Sequence, residues 1–147
     1  MKKEVRDASD DSFDDDEFIK RFENCTLRPD QFHHREHIRL TWLYLGRYGP
    51  IPALDRVSKG IRNLAAAFGK ADRYHETITW AYVFLIHERM TRAAAEQAWE
   101  QFVEANPDLF DWKESILKRY YAQDILASTL ARKVFVLPGL KTRETPD

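Results

Sequence analysis

Cysteine is all but missing from this chain: Cys25 stands alone among 147 residues. An internal disulfide is excluded, and so is a cysteine-rich zinc site. With no basic residue adjacent to it, Cys25 reads as an inert thiol rather than a nucleophile. Glycine occurs only five times, too rarely for a turn-rich β fold. No apolar run approaches the roughly 18 residues of a membrane span. The longest, Ile78 to Ile86, holds nine residues and includes Thr79. The opening Met1-Lys2-Lys3-Glu4 leads into acidic sequence, so no secretory leader is expected. The phosphate-cradling loops G-x-x-x-x-G-K-S/T and G-x-G-x-x-G are absent, as is the G-x-S-x-G nucleophile elbow. Together these absences leave a soluble, bacterial-style cytoplasmic domain as the expectation.

What remains is ample for a core. Hydrophobic residues make up 44% and aromatics 13%, which excludes a wholly disordered chain. Charge is nearly balanced at −1 but unevenly placed. Residues 1–17 carry net −5 and the rest +4. Residues 1–13 therefore read as a solvated acidic tail, 14–137 as a helical domain and 138–147 as a C-terminal tail. The bases between Arg35 and Arg73 are interleaved with acids, and no helix carries a purely basic face. Nucleic acid is not the expected partner.

Apolar spacing predicts helices throughout. The first covers about 14–25, with Phe18, Ile19 and Phe22 on one side and a crowded acidic first turn that suits the helix dipole. The second starts near Asp30 and stops at Gly46 or Gly49. The third runs from about Pro52 to Phe68, ending at Gly69. The fourth, about Arg73 to Met90 with Asp72 as cap, has an uncharged middle that predicts a central position. Ala93 to Glu104 and a long stretch from about Trp112 to Phe135 complete the series. Val134 to Leu137 is the best strand candidate, yet it continues a helical pattern. The fold class expected is all-α, a single-domain bundle of five or six helices.

The five histidines are the chemically informative residues. His33, His34 and His37 fall within one turn and a half of a helix, and 34 and 37 project from one side. His75 opens the most apolar helix, beside Glu76 and ahead of Thr79 and Tyr82. Thr79 stands where H-E-x-x-H would need its second histidine. A metal site would have to be assembled between helices: His34, His37 and His75, with Glu76 as fourth ligand or base. That set suits zinc or, with Glu76 bound directly, non-haem iron, manganese or nickel. Taken singly, each histidine reads equally well as a hydrogen-bonded structural residue.

Phe32-His33-His34-Arg35-Glu36-His37 and Tyr74-His75-Glu76-Thr77-Ile78-Thr79 resemble the F-x-H-x-x-H and Y-H-E-T-x-T motifs of a group of small bacterial all-helical proteins. Tyr120-Tyr121, Ala131-Arg132 and the ending Val136-Leu137-Pro138 are similar too. The resemblance implies His34 and His37 rather than His33, and supports His75, Glu76 and Thr79. The group carries an acidic residue after the late proline, where this chain has Gly139.

Two functions follow as expectations. One is a metal-dependent or acid–base enzyme for a small molecule. Here His34, His37 and His75 hold a divalent cation (zinc or iron), Glu76 and His75 act on protons, and Thr79, Tyr82, Tyr121 and Arg132 line the pocket. The other is a non-catalytic helical module that binds a protein partner or a small ligand.

Overall fold

The computed structural model describes residues 13–139. It is all-α: among the described residues there are eight α-helices, three short 3-10 turns and no strand. No helix among them is long and apolar enough to cross a membrane. The expected acidic tail apart from Phe13, and most of the expected C-terminal tail, lie outside the described residues. The chain divides into two compact units, one ending at Tyr74 and the other beginning at His75.

The first unit holds three helices. Helix α1, Asp15–Glu23, is capped by Asp14, whose carboxylate accepts from the Glu17 amide at 2.8 Å. Phe18, Ile19 and Phe22 form its buried face. It ends in a Schellman motif: the Thr26 amide reaches the Arg21 carbonyl and the Cys25 amide the Phe22 carbonyl. Cys25 occupies the left-handed slot at φ 57°. Helix α2, His34–Tyr48, starts later than Asp30 because Pro29–Gln31 forms a 3-10 turn. His33 is its N-cap, and the Glu36 carboxylate turns back to accept from the His33 amide at 2.7 Å.

One residue, Gly49 at φ 84°, joins α2 to α3, Pro50–Ala67. Pro50 is tolerated at the first position, where no intrahelical bond is lost. Arg39 and Arg47 on α2 pair with Asp15 and Asp16 of α1 at 2.8 and 2.9 Å. Gly60 lets α1 approach α3, since a Cβ there would collide with the Phe22 ring.

In the second unit, helix α4 runs Glu76–Arg92 with His75 as its N-cap. Thr77, Thr79, Ala81, Tyr82, Val83, Leu85 and Ile86 are buried. The expected all-round burial stops at Phe84, which is 43% exposed. Helix α5, Trp99–Ala105, begins later than the Ala-rich sequence suggests. Helix propensity is a weak prior, and Ala93 is extended at ψ 140°. Helix α6, Pro107–Phe110, presents Asp108 to Arg89, which grips it with two bonds of 2.9 and 2.8 Å and also donates to Asn106.

The long last helix expected from 112 to 135 is not formed. In its place stand a 3-10 turn at Ile116–Arg119, α7 at Gln123–Leu126 and α8 at Thr129–Lys133. Serines cap the first and last of these pieces, while α7 follows Ala122 with no side-chain cap. Ser115 accepts from the Leu117 amide at 3.2 Å and Ser128 from the Ala131 amide at 3.1 Å, so each starts a new turn. Beyond α8 the chain is extended from Val134 to Pro138.

Candidate functional site

Residues 34 and 37 lie on α2 in the first unit. His37 stacks on Phe32, ring centroids 6.4 Å apart. Desolvation, with a smaller contribution from His34, holds its pKa down at about 3. At neutral pH this imidazole is uncharged. His34 occupies the first helical position. The second unit holds His75, and its two ring nitrogens are both engaged. Nδ1 accepts from the Ile78 amide at 3.1 Å, and Nε2 donates to the Leu126 carbonyl at 2.7 Å. The ring is therefore the neutral Nε2–H tautomer, and it pins α7 to the start of α4. Burial is the main influence lowering its pKa; the bond to Leu126 opposes this and the Arg132 charge adds to it.

The other expected site residues have varied surroundings. Glu76 opens α4 and Thr79 is buried one turn on. Tyr82 has no exposed surface, and its hydroxyl lies 3.0 Å from the Ser115 hydroxyl. Burial raises its pKa, an effect the Ser115 bond partly offsets. Arg132 is exposed on α8. Among the described residues, no group of three or more His, Cys, Asp or Glu side chains is placed to hold a metal ion.

Of the expected ligand-binding set, Tyr121 lines a cavity. This pocket, about 320 Å³, lies within the second unit. Ala81, Phe84 and Leu85 of α4 form one side, and Leu117, Tyr120 and Tyr121 another. Phe135, Leu137 and Pro138 of the extended segment close the third. Among the described residues, Glu88 is its only charged lining residue. Side chains hold the third wall in place. The Thr77 hydroxyl donates to the Val134 carbonyl at 2.8 Å and accepts from the Val136 amide at 3.0 Å. The Tyr121 hydroxyl donates to the Val136 carbonyl at 2.7 Å. Phe135 stacks on Trp80 at 5.4 Å and meets Phe84 edge-on at 5.4 Å.

Sequence reasoning left Phe84, Leu117 and Phe135 out of the site. For Phe84 the signal was an excess of apolar side chains on α4 beyond what its neighbours bury. It was read as a sign of complete burial.

A more polar hollow in the first unit is lined by Glu23, Tyr44, Asp55, Arg56 and Lys59. Its cations already face acids: Arg56 lies 3.9 Å from Glu23 and Lys59 3.2 Å from Asp55.

No family model matches the chain, and no curated protein or solved structure matches it.

Proposed function

We propose that this chain is a non-catalytic helical module whose second unit binds a small, largely apolar molecule. The carrying observation is the aromatic-walled pocket of about 320 Å³, a volume at the lower end of small-molecule sites. Two details support a binding rather than a chemical part. The hydroxyls of Thr77 and Tyr121 are used in fixing its wall. His75 would have to release one of two hydrogen bonds before it could take a metal or move a proton.

The test is a fluorescence titration with N-phenyl-1-naphthylamine, an apolar probe uncharged at neutral pH. Saturable binding is expected. Phe84 and Tyr120 are 43% and 39% exposed, so alanine is tolerated there without loss of the fold. Each truncation should weaken binding about tenfold, because an aromatic wall contributes on the order of 1.4 kcal/mol. Absence of saturable binding, or binding unchanged in both variants, would contradict the proposal.

A further inference from the structure

The ligand's head group is legible in the same pocket, and this inference rests on the binding function proposed above. Among the described residues, every lining residue is uncharged except Glu88. Glu88 stands on α4 one turn beyond Phe84 and Leu85, so its carboxylate faces the pocket's edge from the same side of the helix. Its partner Arg92 reaches it at 2.6 Å, but the two side chains are 74% and 50% exposed. An ion pair so open to water contributes little and is readily exchanged. Phe84, Tyr120, Tyr121 and Phe135 add four aromatic rings to the lining. Ring faces are electronegative and attract cations. A site with one carboxylate, four rings and no basic lining residue among the described residues complements a molecule that is apolar along its body and positively charged at one end.

We infer that the pocket's ligand is an amphipathic cation, an organic amine or quaternary ammonium whose apolar body fills the cavity and whose charged head meets Glu88. A ligand with a carboxylate head is disfavoured by the same arrangement. The head exchanges with Arg92 for the carboxylate, and no covalent step is involved.

Three ligands with one ring system separate head-group preference from apolar binding: 2-naphthylmethylammonium, 2-naphthylmethanol and 2-naphthoate, each used to displace N-phenyl-1-naphthylamine from the full chain. The ammonium should bind at least fivefold more tightly than the alcohol, and the carboxylate most weakly. Raising salt should narrow the spread, since charge interactions are screened. Glu88→Gln should bring the ammonium down to the alcohol's affinity, and Arg92→Ala should widen its advantage. Equal affinity of ammonium and alcohol, or a preference that survives in Glu88→Gln, overturns the inference while leaving apolar binding standing. Failure of the probe itself to bind overturns both.

Discussion

Cys25 shows how a single residue can work against the structure it completes. Both α1 and α3 end in Schellman motifs, with Thr26 bonded to Arg21 and Lys70 to Ala65. The left-handed slot is filled by Gly69 after α3 but by Cys25 after α1, at φ 75° and 57°. A side chain in that conformation costs about 1–2 kcal/mol, which glycine avoids. Cys25→Gly should therefore raise stability by about 1 kcal/mol, read as a higher denaturant midpoint with unchanged slope. A lower midpoint would mean that the thiol's packing outweighs the backbone cost. The imidazoles make a second residue-scale case. His37 has a pKa near 3 in the fold against 6.5 ordinarily, and burial lowers His75 as well. Between those values the unfolded chain binds protons that the folded one refuses. Stability is then full above pH 6.5 and falls as pH drops toward 3, by up to about 1.4 kcal/mol per pH unit from His37. Urea melts across that range should show the slope, and His37→Asn should reduce it. An unaltered slope in the variant would assign the acid sensitivity to other groups.

At the scale of elements, legibility followed the strength of the local signal. Helix α1 and the end of α3 were readable because Asp14 and Gly69 mark them with residues whose backbone chemistry leaves few alternatives, while α3 begins at Pro50, two residues ahead of the expected Pro52. The segment 112–135 was misread because it holds neither proline nor glycine. Two of its turns start at Ser115 and Ser128, and serine is a cap only when its neighbours let it turn back to the amide. His75 is a related case. Sequence shows an imidazole at a helix start but not the Leu126 carbonyl, 51 residues away, that takes its second nitrogen. The extended segment 134–138 was visible as a weak strand signal, yet its bonding is to side chains of Thr77 and Tyr121 rather than to a sheet. Thr77→Val keeps the shape of the fully buried side chain and removes both of its bonds to that segment. Leaving the Val134 carbonyl and Val136 amide unsatisfied should cost about 1–3 kcal/mol. The same change should weaken N-phenyl-1-naphthylamine binding, since Phe135 and Leu137 form a pocket wall. Full affinity together with full stability in Thr77→Val would show that the wall is held by other means.

At the scale of the molecule, the all-α class was readable from periodicity and the scarcity of glycine, whereas the pocket was not. A cavity is a property of surfaces that fail to meet, and periodicity reports only which residues are apolar. Phe84 illustrates the difference: its place in an uncharged helical stretch suggested a core position, while in the fold it stands at the pocket with 43% of its surface exposed. The first unit has its histidines in helix-starting and stacked positions, and the second has the apolar cavity with Glu88 at its edge. The proposed ligand binding belongs to the second unit. Amide chemical-shift mapping of the full chain with N-phenyl-1-naphthylamine tests that placement most directly. The account predicts that resonances of Ala81, Leu85, Leu117, Tyr121 and Leu137 shift together along one binding isotherm while those of α2 stay still. Shifts concentrated on α2, or none that saturate, would contradict it.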